Sequence, residues 1–516
     1  MNTLAGIADT LTSFGPTLWL ALVLGVVIGM LVGVLPGLTF VMGLLLILPF
    51  TYGMPVDIGV ALMVAVYIAG TYGGAITAVL LRIPGTPDQV PLLWDGYEMT
   101  RKGRAAEALG WAAVAAFAGG MAAWLLVTFA AKPFATVALN FGPAEYCVIV
   151  VLGLTSVLAL GERSVAKSLT ALMVGMLLAT VGVEAVYGTV RFDFGIPILR
   201  DGIDYLPAMV GIYALGHVII RFGAGFAGGV GNQPTRVRTS IPGLSALRRH
   251  AGSLSRGVGV GSLMGAVPGA GATVASFLAY GVEKQVGKER HLVGTGSPNG
   301  VIAPQAASTA TVGGAFIPLL VLGIPGSAAT AVILGALLLH NIQPGPQIFA
   351  QQPELVYTVM AALLVSVVLM TLFGLLASKP MVRLLRIPEA YVAAVIVLFA
   401  YIGAFAIRNS LSDVWIMTIF AVLGYFMQRK GYPLAPLVLG AILGPLAERY
   451  FVTAMIASNN DVSVFITRPI SAGLIVAWIG VLSFLIYRAV RDARQTSGAA
   501  TASTTTPVES HDAQPK

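Results

Sequence analysis

Four Pro-Gly dipeptides interrupt long apolar stretches of this chain: Pro36-Gly37, Pro84-Gly85, Pro268-Gly269 and Pro325-Gly326. Proline lacks a backbone donor and clashes with the preceding turn, so each break leaves N–H and C=O groups without intrahelical partners. The half-helix after a break presents amides of partial positive charge, which suit a carboxylate. The half-helix before it presents carbonyl oxygens, which suit sodium. Hydroxyls crowd the same places: Thr39, Thr77 and Thr86 in the first half, and Thr273, Ser276, Ser308, Thr309, Ser327 and Thr330 in the second. Such groups can hold an anion and a small cation without burying a formal charge, which is costly inside a membrane.

The breaks recur in a fixed frame. Gly25-x3-Gly29-x3-Gly33-x2-Pro36-Gly37 returns as Gly257-x3-Gly261-x3-Gly265-x2-Pro268-Gly269, with every element displaced by the same interval (257 − 25 = 269 − 37). Tyr72-Gly73-Gly74-Ala75 leads to Ile83-Pro84-Gly85-Thr86, and Val312-Gly313-Gly314-Ala315 leads to Ile324-Pro325-Gly326-Ser327. The step from the first glycine to the isoleucine is one longer in the second half (Gly313 to Ile324) than in the first (Gly73 to Ile83). Paired breaks in matching places of two halves point to a transporter's binding site. Small residues every four positions also let helices approach closely, and that is the reading for Gly25, Gly29, Gly257 and Gly261. Arg82 reads either as a partner for a substrate carboxylate or as a side chain reaching the membrane surface. Asp88, Asp95 and Glu98 read as solvated loop charges, His340 with Asn341 as an interfacial pair, and Glu145 and Glu184 as helix-end carboxylates.

The elements that position these residues follow from composition. With 516 residues, 57% hydrophobic and 10% charged, and a mean hydropathy of +0.87, the chain is too apolar for a soluble fold. Its apolar stretches run to about 18–25 residues, the length that spans a bilayer as helix, and no short alternating segments of a β-barrel are seen. The net charge of +8 is scattered among short loops, as expected for cytoplasmic loops rather than a nucleic-acid surface. Cys147 is the single cysteine, and the five histidines (His217, His250, His291, His340, His511) show no ligand spacing, which argues against a disulfide, metal or haem site. No Lys or Arg occurs between Met1 and Leu81, so no cleaved signal peptide is expected. No acidic pair, nucleophile elbow or phosphate-binding loop is visible, so the chain does not read as an enzyme or an ATPase.

Loop charges give an orientation. Basic loops at Arg101/Lys102/Arg104, Arg163/Lys167, 223–256, Lys284/Lys288/Arg290, Lys379/Arg383/Arg386, Arg429/Lys430 and Arg488/Arg491/Arg494 alternate with loops poor in Lys and Arg. The N-terminus is therefore placed outside, and the central linker and C-terminus inside. The two glycine-ladder segments then enter from opposite sides, as do the two Ile-Pro-Gly segments, giving an inverted-topology repeat. The segment 257–281 must begin and end inside and is too short for two crossings; it is expected to be a re-entrant hairpin turning at Pro268-Gly269, with its counterpart turning at Pro36-Gly37. The expected fold is an all-α polytopic membrane protein of about 11–12 transmembrane helices plus re-entrant hairpins. A first repeat covers 1–222, a cytoplasmic linker 223–256, a second repeat 257–490, and a disordered cytoplasmic tail 491–516.

At these residues the chain resembles the large membrane permease subunit of the tripartite tricarboxylate transporters, the TctA type. The matching strings are Gly33-Val-Leu-Pro-Gly37-Leu-Thr39, Tyr72-Gly-Gly-Ala-Ile through Ile83-Pro-Gly-Thr-Pro87, Asp95-Gly-Tyr97 and Lys102-Gly-Arg104 in the first half. In the second they are Val267-Pro-Gly-Ala270, Gly300 to Ala310, Gly313-Gly-Ala, Leu322-Gly-Ile-Pro-Gly-Ser-Ala-Ala-Thr330 and Gln343-Pro-Gly-Pro346. The resemblance implies a multi-pass permease of the bacterial inner membrane, with a periplasmic N-terminus and cytoplasmic C-terminus. It implies work with a periplasmic solute-binding protein and a small four-helix membrane subunit, and uptake of tricarboxylates or other carboxylates. A sodium or proton gradient would drive it, with no other cofactor. Where the family commonly has Ala-Pro-Glu and then a pair of Asn, this chain has Ala303-Pro304-Gln305 and then Ser308-Thr309. Gln305 cannot titrate, which leaves the ion chemistry open.

The candidate substrate and ion site therefore comprises Pro36, Gly37, Thr39, Gly73, Gly74, Pro84, Gly85 and Thr86 with Pro268, Gly269, Thr273, Gln305, Ser308, Thr309, Gly313, Gly314, Pro325, Gly326 and Ser327. A binding-protein-independent exchanger, a passive channel and an intramembrane enzyme are the competing classes; the enzyme would require an acidic or histidine cluster that the sequence lacks.

Overall fold

A computed structural model of the chain describes residues 3–35, 38–159, 165–184, 186–200, 202–224, 239–267, 269, 271–376 and 388–483. The expected turn residues Pro36, Gly37 and Pro268 and the tail 491–516 lie outside these. The protein is all-α and polytopic. Eight described helices are long and apolar enough to cross a bilayer, and six shorter apolar helices of 10–17 residues stand beside them. A helix at Thr3–Ser13 precedes the first spanning segment, and the only described strands are the pairs Gly182–Val183 and Val190–Arg191.

Two helices form the centre. Val56–Leu81 has 94% of its spanning window buried and Asn299–Leu322 has 89%, against 39–56% for the other six. A helix buried on every side reads as a continuous apolar run without a polar face, and both are built that way from Ala, Val, Leu, Gly and Thr. Each receives one glycine-ladder helix: Pro16–Val34 packs along Val56–Leu81, and Leu244–Ala266 along Asn299–Leu322. Ala105–Ala138 lies against the second pair and Pro353–Leu376 against the first. Peripheral helices pack around this group, among them Pro143–Ala159 and Val165–Leu178 on Leu434–Ala457, and Tyr205–Gly223 on Leu411–Arg429.

The glycines set how close the helices come. A methyl added at Gly25 would lie 2.7 Å from the Leu62 carbonyl, one at Gly29 would overlap the Val66 carbonyl, and one at Gly33 would lie 2.7 Å from that of Gly70. In the second half Gly257, Gly261 and Gly265 meet the carbonyls of Ala303, Ala307 and Thr311 in the same way. Partners on the two central helices thus share a single offset (303 − 62 = 307 − 66 = 311 − 70). That offset exceeds the spacing of the Gly-Gly motifs by one position. Gly73 meets Met30 and Gly33, and Gly314 meets Ser262 and Gly265, so Gly314 takes the place of Gly73. Gly313 faces Ala123 on another helix. Backbone contacts fix the register, so the same Gly-Gly letters occupy positions one step apart.

The second hairpin has the expected shape, with arms Leu244–Ala266 and Gly271–Val286 packed on one another. Its first arm begins at Leu244, inside the stretch read as linker, because Leu244, Leu247 and Leu254 give 244–256 an apolar stripe. Arg256 binds Glu283 across the arms, Nε to Oε2 at 2.9 Å, and Ser253 Oγ donates to Glu283 Oε1 at 2.8 Å. The Glu283 side chain is fully buried and Arg256 is 27% exposed. Arg256→Ala is expected to splay the arms at a cost below the roughly 3–5 kcal/mol of a fully buried pair. Faster amide exchange in 271–286 than in the wild type is the measurement; unchanged exchange would exclude the clamp.

Glu145 is a satisfied helix-end carboxylate, paired to Arg468 at 3.0 Å and accepting from the Gly142 amide at 2.8 Å. Glu184 instead closes the turn of the small strand pair, where the Tyr187 amide above all, with that of Val186, holds its carboxyl below the usual range.

Candidate functional site

The first Ile-Pro-Gly break begins where Arg82, in the left-handed conformation (φ 59°), ends the Val56–Leu81 helix. Gly85 then passes so near the glycine crossing that an added Cβ would overlap the Gly33 carbonyl and lie 2.6 Å from the Gly74 Cα. From Thr86 the chain turns through a short 3-10 segment, Pro87–Gln89, into the helix Val90–Arg101. That turn aims Asp88 at the second central helix and Gln89 at the first. Asp88 is 1% exposed and Gln89 is fully buried. Asp88 is thus no solvated loop charge: proline at 87 and 91 keeps the turn tight, and the central helix Asn299–Leu322 covers it.

The side chains there form one connected cluster. Asp88 Oδ2 accepts from Ser308 Oγ and from Gln89 Nε2, each at 2.6 Å. Gln89 Nε2 also donates to the Thr71 carbonyl at 2.8 Å, and Gln305 Nε2 donates to the same carbonyl at 3.2 Å. Gln305 Nε2 reaches Thr309 Oγ1 at 3.1 Å, and Thr71 Oγ1 donates to the Ile68 carbonyl at 2.7 Å. Residues from the break of one half and the central helix of the other therefore meet at the Thr71 carbonyl, one turn before Gly74.

The second break is built alike but satisfied differently. Gly323 (φ 69°) ends Asn299–Leu322, and Ser327 caps the Ala328–Leu339 helix in a reciprocal box with Thr330. Ser327 N donates to Thr330 Oγ1 at 2.8 Å, and Tyr67 Oη lies 3.2 Å from Ser327 Oγ. Gly269 (φ 84°) donates its N–H to the Gly326 carbonyl at 2.9 Å, docking the hairpin tip on the break. Tyr67 lies one helical turn before Thr71 on the Val56–Leu81 helix, so the two breaks meet neighbouring turns of that helix.

Of the expected site residues, Gly74, Gly85, Thr86, Gln305, Ser308 and Thr309 belong to the first cluster, and Gly269, Pro325, Gly326 and Ser327 to the second. Gly73 and Gly314 hold the hairpin helices. Thr39 caps the Phe40–Thr51 helix through the Met42 amide, and Pro84 is half-buried at the break. Thr273 is half-buried on the hairpin's second arm and joins neither cluster, and Gly313 packs on Ala123. Asp88, which the sequence reading placed in solvent, joins the first cluster with Gln89 and Thr71, and Tyr67 joins the second; these last three were not singled out by sequence. The signal for Asp88 was present: a charge close behind a Pro-Gly break in an apolar chain.

Arg82 is exposed and sits 5.8 Å over the Tyr97 ring, with Arg101 and Lys284, around a cleft of about 480 Å³. It belongs to the basic face, not to the break cluster. Asp95 is a second buried carboxylate that the sequence reading placed in solvent. Tyr280 Oη (2.9 Å) and the amides of Gly294 (2.9 Å), Gly296 (2.8 Å) and Ser297 (2.7 Å) all donate to it. Glu98, by contrast, pairs with exposed Arg101 at 3.1 Å.

The pattern of the tripartite tricarboxylate transporter TctA family matches residues 19–439. A protein of Agrobacterium vitis named "Uncharacterized 52.8 kDa protein in TAR-I ttuC' 3'region" is 36% identical over 449 residues, covering 87% of this chain and 89% of the relative. Another from the same organism, "Uncharacterized protein in TAR-II ttuC' 3'region", is 40% identical over 215 residues, which is 42% of this chain and 89% of the relative. No solved structure matches the chain.

Proposed function

The chain belongs to the tripartite tricarboxylate transporter TctA family, and from that premise we propose that it is the permease subunit of a binding-protein-dependent carboxylate importer. The family is one of transporters, in line with the expectation that the chain is not an enzyme. The inner bacterial membrane is its site, with the N-terminus periplasmic and the C-terminus cytoplasmic. A periplasmic solute-binding protein delivers the cargo, and a small four-helix membrane subunit completes the complex. A sodium or proton gradient drives uptake.

The observation that carries this reading is the meeting of two Pro-Gly breaks beside paired central helices. The positive dipole ends of Val90–Arg101 and Ala328–Leu339, with the nearby hydroxyls of Thr86 and Ser327, are chemistry for a carboxylate. The glycine-ladder hairpins and their central helices act as inverted repeats that move against the peripheral helices, exposing the site to each side in turn.

The test is accumulation of labelled carboxylates in liposomes holding this chain, its small subunit and the binding protein encoded beside it. Uptake against a concentration gradient is expected under an inward sodium or proton gradient, with none when the binding protein is omitted. Equal uptake without the binding protein would mean an independent exchanger, and equilibration without accumulation would mean a channel.

A further inference from the structure

The Asp88 cluster contains more oxygen than its own hydrogen bonds use. Thr86 Oγ1, Gln89 Oε1 and Gln305 Oε1 are buried without any partner, on residues that are 1%, 0% and 0% exposed. Their placement is shared. Both glutamine nitrogens are committed to the Thr71 carbonyl, which turns both amide oxygens away from it. Thr86 and Gln89 face the same Gly74, at 3.0 and 2.9 Å from a Cβ built there. Thr86 sits beside the Asp88 carboxylate with its own oxygen outside hydrogen-bonding geometry. None of the described ion pairs includes Asp88. A buried carboxylate with no cation costs several kcal/mol by order of magnitude, and unsatisfied buried acceptors add to that.

The second half supplies an internal comparison. The offset set by the glycine contacts carries Thr86, Asp88 and Gln89 onto Ser327, Ala329 and Thr330 (327 − 86 = 303 − 62). There the hydroxyls satisfy one another in the capping box, and no carboxylate is present. The same backbone turn can therefore be built with no orphaned oxygen, and the first half departs from that solution at each of these three positions.

We infer that Asp88, Thr86, Gln89 and Gln305 bind a dehydrated sodium ion. A proton would neutralise the carboxylate, and its O–H could donate to only one of the three oxygens, leaving two unpartnered, whereas a hard metal ion is coordinated by carboxylate, amide and hydroxyl oxygens together. One carboxylate matches a single positive charge. Among the described residues no group of three His, Cys, Asp or Glu is present, as a tight divalent site would require. The bound ion would cancel the charge that otherwise repels an anionic cargo from the adjoining break, which ties cargo binding to sodium. This coupling role rests on the transport reading, but the ion site itself does not.

The test is thermal melting of the purified chain in detergent, with NaCl, KCl and choline chloride at matched ionic strength. A ligand that binds only the folded state raises Tm with its concentration. Sodium alone should raise it, Asp88→Asn should lose the rise, and Thr86→Val should raise the half-saturating sodium concentration by about tenfold. Thr128→Val, which removes another buried unpartnered hydroxyl far along the chain, should leave the sodium response unchanged. The site is overturned if the wild type shows no sodium-specific rise, if the rise survives Asp88→Asn, or if stability follows pH equally in all three salts, which would make the occupant a proton. Should Asp88→Asn not fold, an unchanged half-saturation in Thr86→Val overturns it. A sodium rise without carboxylate uptake would refute the transport reading alone; uptake without the rise would refute this site alone.

Discussion

Gly85→Ala is expected to melt well below the wild type in detergent and to lose uptake, with a smaller loss from Gly326→Ala at the corresponding position. The new methyl at 85 meets backbone on two sides, the Gly33 carbonyl and the Gly74 Cα. Neither can rotate away, so the Pro16–Val34 helix, the central helix or the break itself must move. At Gly326 the nearest atoms are the Ala315 Cα at 2.8 Å, the Ala315 Cβ at 3.1 Å and the Gly265 carbonyl at 3.1 Å, so a shift of a few tenths of an ångström relieves the crowding. Overpacking of this kind costs about 1–3 kcal/mol and sometimes more; Gly85 belongs at or above the upper end and Gly326 near the lower. Uptake should fall further than stability at 85, because Thr86, Asp88 and Gln89 follow directly and move with it. Parallel melting curves and uptake in reconstituted vesicles decide the matter. Equal losses at the two positions would mean that the first crossing is not the tighter one.

Asp95→Ala is expected to release the loop 287–298 from the helix Val90–Arg101. Four donors converge on the fully buried carboxylate, three of them backbone amides that have no side chain to turn elsewhere. Each buried donor left unsatisfied costs about 1–3 kcal/mol, and water reaching the opened loop would recover part of that. Asp95→Asn should fall between, since its single oxygen accepts from some donors while its NH2 faces the others. Gly300→Ala is expected to resemble Asp95→Ala, because its methyl would occupy the space of the Asp95 carboxylate. Protease sensitivity of 287–298, read by the position of the first cuts, is the measurement. A loop as resistant in Asp95→Ala as in the wild type would show that the amides are held by something else. These effects belong to the link between the two halves, so they should appear without sodium or cargo.

Much of the central architecture was legible as pattern. The glycine repeat, one per helical turn, named the helix faces that pack at Gly25, Gly29, Gly257 and Gly261, because a carbonyl contact at every turn tolerates nothing larger. The hairpin around Gly269 followed from one segment having to begin and end on the same side. Three features were hidden. Gly313 and Gly314 matched Gly73 and Gly74 as letters, yet the contacts align Gly314 with Gly73, since helix register follows backbone approach and a Gly-Gly pair can slide by one. Asp88 and Asp95 read as loop charges because they follow a Pro-Gly break in a segment that also carries Glu98, and their burial comes from elements in the other half of the chain. The resemblance left Gln305 as a carboxylate lost. Only in three dimensions does Asp88, through Gln89 and the Thr71 carbonyl, stand in the same cluster.

The sequence by itself determined that this is a helical membrane protein, where its helices break and which glycine faces pack, because hydropathy, proline and glycine act locally along the chain. Tertiary structure alone decided which groups share a site. Asp88, Gln89 and Thr86 come from one half of the chain, and Gln305, Ser308 and Thr309 from the other. Their distances depend on how two buried helices cross. Within the first half, the close backbone approach of Gly33, Gly74 and Gly85 fixes where the turn at Thr86 begins, a distance that no residue type or spacing expresses.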